Sequence, residues 1–287
     1  MSRSARGIWL MVATVLTFAV QDGFSRHLAE TYNTLMVVMV RYWVFAVFVM
    51  VMALRRPEGL GAAVRSARLT AHVVRSVLLV AEICVIVYGY TLIGLIESQA
   101  VFAVCPLLVV ALSGPVLGER LSLQRWLAVG AGCVGVLVIL RPGSGVFSWQ
   151  ALLPLASAGM FALYSVLTRL TTRDEPSFPA FFWPPIIGAA MMTVIGLPHW
   201  EAVTPRDWVF LITYALISVL SNWLLQKTCE TAEASAVQPF AYLQIVFVSV
   251  IGITIYDEVL LPQVVAGAVI VVLAGLYALL QTRHAAG

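Results

Sequence analysis

Three ionisable residues interrupt long apolar runs: Asp22 within FAVQDGF, Arg41 within VVMVRYWVF and Glu82 within VLLVAEICVIV. An unpaired charge in hydrocarbon costs about 3 kcal/mol or more, so such residues face protein rather than lipid and are functional by default. Counting about 1.5 Å per residue along a helix from one common face, Glu82 lies ~15 Å deep, Arg41 ~20 Å and Asp22 ~22 Å. At that depth they can meet. Two chemistries are open to them. One is binding of a zwitterionic substrate or of a proton, with Glu82 and Asp22 as coupling carboxylates; the other is a structural ion pair that locks the first three helices together.

Polar stripes supply further candidates, since residues three or four apart share a helix face. Thr14, Thr17, Gln21 and Ser25 form one stripe and Ser157, Phe161, Tyr164 and Thr168 a second. Tyr214 and Ser218, with Ser221 or Asn222, form a third, and Gln238, Tyr242 and Ser249 a fourth. They line either a shared cavity or interhelical hydrogen bonds. Tyr42, Trp43 and Trp183 are aromatic residues at membrane depth that suit a pocket wall as well as core packing. The candidate substrate-binding set is therefore Gln21, Arg41, Tyr42, Trp43, Glu82, Tyr164, Trp183, Gln238 and Tyr242. No HExxH, GxSxG or GxxxxGK[ST] motif occurs, and His27, His72, His199 and His284 lack ligand spacing. The chain reads as a non-enzyme, with no metal, cofactor or ATPase of its own.

The elements that must position these residues follow from composition. Of 287 residues, 61% are hydrophobic and 11% charged, with a mean hydropathy of +0.96, against about 45–50% and 25% in soluble domains. The membrane is the solvent, and catalysis on a soluble domain is excluded. Apolar runs near 7–26, 34–54, 73–94, 97–117, 123–140, 149–169, 179–198, 208–228, 234–256 and 262–281 predict ten helices; period-2 alternation of the barrel kind is absent. With a cytoplasmic N-terminus, Arg26, Arg41, Arg141 and Arg206 fall in the outer half and the other 13 of the 17 basic residues, Arg75 among them, in the inner half. This bias places both termini inside. A net charge of +3 gives no reason to expect nucleic acid, and Cys84, Cys105, Cys133 and Cys229 form no cluster, as free thiols would not.

The runs also repeat. Phe18 to Arg26 (FAVQDGFSR) parallels Phe161 to Arg169 (FALYSVLTR), and Glu97-Ser98-Gln99-Ala100-Val101 parallels Glu233-Ala234-Ser235-Ala236-Val237. Both matches put five runs in each half, 1–144 and 145–287. Five is odd, so the second half crosses the membrane in the opposite sense. The expected fold is an all-α polytopic membrane protein, ten transmembrane helices as two inverted five-helix repeats forming one transmembrane unit. Such repeats place a substrate site near the midplane and rock to give alternating access. Small residues in runs 5 and 10 (Gly130, Gly132, Gly135; Gly267, Gly275) predict close backbone approach, within the bundle or between two copies. Pro106, Pro184, Pro185 and Pro239 predict kinks.

The Gly118-Glu119-Arg120-Leu121 turn before a glycine-rich helix, and its counterpart Asp257-Glu258-Val259-Leu260, make the chain resemble the EamA-like family of the drug/metabolite transporter superfamily over essentially its whole length. Arg41 also stands where that family often has an Arg. The resemblance implies a multi-pass exporter in a bacterial inner membrane, and size and aromatic content suggest the amino-acid exporter branch. A passive facilitator of the same fold is the alternative. The implied partners are amino acids or related metabolites, membrane lipid and protons as candidate coupling ion, with the protein a monomer or a homodimer.

Overall fold

The computed structural model describes residues 3–118, 122–140, 149–172, 177–231, 237 and 240–284, and every regular element in them is helical. In order they are α1 (Arg3–Thr31), α2 (Thr34–Leu54), α3 (Leu69–Ile93), α4 (Leu95–Leu117), α5 (Leu123–Leu140), α6 (Leu152–Thr172), α7 (Ser177–Gly196), α8 (Pro205–Thr231), α9 (Leu243–Tyr256) and α10 (Pro262–His284). Seven of these, α1 to α4 and α6 to α8, are long and apolar enough to cross a membrane. The apolar stretches 126–140, 243–256 and 262–278 of α5, α9 and α10 are shorter. The protein is an all-helical, multi-pass membrane protein. Glu119 to Leu121, Ala232 to Ala236, Gln238 and Pro239 lie outside the described residues.

The connections are short for local reasons. Asn33 caps α2 by accepting the Leu35 N–H at 2.9 Å, which lets the chain reverse within two residues of α1. Gly94, at φ 85°, joins α3 to α4 through a single residue in a conformation that only glycine adopts without strain. The helical path of α4 breaks at Ala103 and Val104, just before Pro106, where the missing N–H ends the first segment. Pro184 and Pro185 leave α7 uninterrupted.

Packing follows a pattern of exchange. The principal helix pairs are α1 with α8 and α3 with α6; α2 with α8 and α3 with α7; α4 with α6 and α1 with α9; and, each alone, α2 with α7 and α5 with α10. Replacing each helix of the first five by its partner in the second five maps this set onto itself. At the α5–α10 crossing, a Cβ on Gly135 would meet the Gly267 carbonyl oxygen at 2.9 Å, and one on Gly267 would meet that of Gly135 at 2.6 Å. The small residues of these two helices thus bring their own backbones together inside the bundle.

Candidate functional site

All three intramembrane charges of the sequence are buried, with Asp22, Arg41 and Glu82 only 7%, 7% and 5% exposed. Each is held by a neutral side chain from the other half. Asp22 Oδ2 accepts from Gln244 Nε2 of α9 at 3.0 Å, and from Gln99 Nε2 of α4 at 2.8 Å. Glu82 Oε1 accepts from Ser157 Oγ of α6 at 3.0 Å, and Arg41 Nε donates to Ser218 Oγ of α8 at 2.5 Å. Gln99 also donates to the Tyr90 hydroxyl at 2.6 Å. The three charges lie within electrostatic reach of one another, yet none forms an ion pair with another described residue. The ion-pair lock between α1, α2 and α3 is not what the structure shows. Around this group the buried Gln21 Oε1, Ser25 Oγ, Tyr42 hydroxyl, Ser98 Oγ and Tyr214 hydroxyl have no protein partner.

The aromatic candidates divide. Tyr42 is 2% exposed and its ring lies against Gly188 of α7, where a Cβ would collide with it. Tyr164 stacks obliquely on Phe161, 5.7 Å between centroids. Trp43 and Trp183 do not share a pocket. Trp43 donates to Thr193 Oγ1 at 2.7 Å and stacks on Trp200 at 6.2 Å, with Trp208 next at 6.1 Å, whereas Trp183 donates to the Val64 carbonyl at 3.0 Å among Phe178, Phe181 and Phe182. They sit towards opposite ends of α7. Tyr242 turns its ring onto Gly275 of α10, and its buried hydroxyl has no protein partner.

The two ends of the bundle are cross-braced by different chemistry. At the end where α1 meets α4, Arg26 pairs with Glu258 and with Glu30 at 2.8 Å, and its guanidinium stacks 4.2 Å above the Tyr256 ring. The same Glu258 accepts the Leu95 and Ile96 N–H groups at 2.6 and 2.8 Å, capping α4. Nearby, the Tyr32 hydroxyl donates to Asp207 at 2.6 Å. A pocket of about 190 Å³ opens here beside Arg26, Gly94, Glu97 and Glu258. At the other end, Arg75 is completely buried rather than an exposed topology anchor. It donates to Thr168 at 2.9 Å, Thr171 at 3.3 Å and the Ala180 carbonyl at 3.4 Å, and meets His72 Nδ1 at 2.9 Å. Its cation lies 5.1 Å from the Tyr164 ring centre. The ties join α3, α6 and α7.

Gln99, Gln244 and Arg75 are the residues that sequence reasoning missed. The sign for the two glutamines is chemical: a buried Asp22 without an arginine in contact needs N–H donors, and glutamines are the polar groups that α4 and α9 offer. For Arg75 it is the His72/Arg75 spacing of three facing Thr168 and Thr171, again three apart.

Comparison with known proteins agrees with this architecture. The EamA-like transporter family pattern matches twice, over residues 5–141 and 148–280. The chain is similar to the S-adenosylmethionine uptake transporter of Rickettsia prowazekii, 24% identical over 273 residues covering 94% of this chain and 91% of that one. It is also similar to the riboflavin transporter of Vibrio cholerae, 25% identical over 93% and 90% of the two chains, and to the pseudopaline exporter of Pseudomonas aeruginosa, 24% identical over 93% and 94%. A solved crystal structure superposes with a TM-score of 0.64 over 99% of both chains at 15% identity, a likeness of fold.

Proposed function

This chain belongs to the EamA-like transporter family, and we propose that it carries small zwitterionic metabolites of the amino-acid class across a bacterial inner membrane by alternating access. In this reading ten helices cross the membrane as two inverted repeats, 1–144 and 145–287, with both termini cytoplasmic. The exchange symmetry of the helix contacts and the double family match support it. The observation that carries the function is the central group: three ionisable side chains from the first half, each hydrogen-bonded to a neutral residue of the second half, with no ion pair among them. Neutral contacts of this kind can be exchanged for substrate as the halves rock, whereas a buried ion pair would have to be broken at a cost of several kcal/mol.

Amino-acid export is the direction that the sequence resemblance favours, and the related transporters are named for uptake as well as for export. A secondary carrier runs in either sense with its gradients. Proteoliposomes loaded with labelled amino acids, S-adenosylmethionine or riboflavin, with and without an imposed pH gradient, test the proposal. Gradient-sensitive flux of an amino-acid-class solute is the expected result. Glu82→Gln should abolish the gradient response and keep exchange of labelled for unlabelled solute, because the amide mimics a permanently protonated carboxyl. A wild type indifferent to pH would make the protein a passive facilitator, and flux of none of these solutes would overturn the substrate class.

A further inference from the structure

We propose that Arg41, Tyr42 and Tyr214 form the subsite that takes the anionic group of the substrate, a carboxylate or a phosphate. The proposal rests on the transport reading above and adds to it which residues meet which part of the solute. A guanidinium stays charged and offers five N–H donors. Arg41 uses only Nε, towards Ser218; its two Nη groups have no partner among the described residues although the residue is 7% exposed. Tyr214, wholly buried, lies beside the guanidinium within its electrostatic reach, and its hydroxyl makes no hydrogen bond of good geometry in the protein. Tyr42, 2% exposed, has its ring centre 6.0 Å from Arg41 Cζ and its hydroxyl is also unpartnered. Of the nearby carboxyls, Asp22 Oδ2 accepts from two glutamines and Glu82 Oε1 from Ser157, and neither pairs with Arg41.

The result is a guanidinium and two phenols with no acceptor aligned to them, at the depth where two halves meet. A carboxylate or phosphate oxygen pair matches the parallel N–H groups of a guanidinium and accepts from phenols as well. Arg75 supplies the control within the same molecule. It is buried even more deeply, yet it meets Thr168, Thr171, His72 and the Ala180 carbonyl, so this fold can satisfy an interior arginine without a ligand when it has only to be packed.

The test is counterflow in proteoliposomes with matched pairs: L-phenylalanine against phenylethylamine, S-adenosylmethionine against its decarboxylated form, and riboflavin 5′-phosphate against riboflavin. The wild type should prefer the anion-bearing member of at least one pair by tenfold or more, the first two pairs reporting carboxylate and the third phosphate. Arg41→Gln should remove that preference, and Tyr214→Phe should reduce it at least threefold. Purified, substrate-free Tyr214→Phe should melt no lower than wild type, since the buried hydroxyl it loses makes no hydrogen bond of good geometry in the protein; this separates a binding role from a structural one. Equal transport of both members of every pair, or an unchanged preference in Tyr214→Phe, overturns the subsite and leaves the carrier standing. Transport of none of the six solutes removes the carrier reading and the subsite with it.

Discussion

Arg26 and Arg41 belong to the same half of the bundle and are treated in opposite ways. At the end of the bundle Arg26 is fully engaged by charge: Glu258 and Glu30 pair with it, and Tyr256 lies under it. Midway, Arg41 has two carboxylates within electrostatic reach and forms an ion pair with neither, donating instead to a serine beside Tyr42 and Tyr214. Half-buried pairs at an end hold helices together and cap a backbone terminus. Ionisable groups without an ion pair in the middle are costly to keep charged, about 3 kcal/mol each in hydrocarbon, and stability gives no reason to keep three of them. On the transport reading proposed above, paired charge braces an end of the bundle, and the central group without ion pairs is where a solute would complete the hydrogen bonding.

The largest effect that sharpens this contrast is expected at Asp22. Asp22→Ala leaves the Gln244 amide without its acceptor, takes one of two from Gln99 and removes one of the central ionisable groups, so counterflow of any accepted solute should fall by about 100-fold, equivalent to about 2.7 kcal/mol. A variant with more than half the wild-type rate would break the distinction. At the paired end, Glu258→Gln should instead act on stability. It removes the partner of Arg26 and weakens the cap on α4, at about 1–2 kcal/mol read as a lower melting temperature in detergent, while substrate affinity stays within about twofold, less than 0.5 kcal/mol. An affinity loss as large as that of Asp22→Ala would show that the end belongs to the site.

The smallest effect concerns Trp43, which pocket and packing readings of the sequence treat alike. Its indole bonds to Thr193 and stacks on Trp200, so Trp43→Phe should cost about 1 kcal/mol of stability through the lost hydrogen bond and stacking and leave solute affinity unchanged. A tenfold loss of affinity would return Trp43 to the pocket wall.

Much of this was legible in the sequence because a membrane narrows the options. Apolar runs had to be helices, and Asp22, Arg41 and Glu82 had to turn inward whatever their partners. Partner identity was less accessible. Arg41 and Glu82 look like a natural pair when depth alone is counted, but the structure sets Ser218 and Ser157 of the other half between them and that outcome. Depth along a helix is a one-dimensional quantity, and which helices lie side by side is a matter of packing. The same limit explains Arg75, which run boundaries put at a face and the closeness of α3, α6 and α7 buries. It also explains Trp43 and Trp183, which depth alone treats alike and which the packing of α2 on α7 sets towards opposite ends of α7.

The most direct test sets the two arginines side by side. The affinity of the purified protein for whichever solute the liposomes identify is measured for Arg26→Gln and Arg41→Gln together with their melting temperatures. The account predicts that Arg41→Gln weakens binding at least tenfold, whereas Arg26→Gln lowers the melting temperature and keeps affinity within about twofold, a difference of roughly 1 kcal/mol between them. Equal losses of affinity in the two variants, or undiminished binding by Arg41→Gln, would contradict the assignment of the central group as the site of transport.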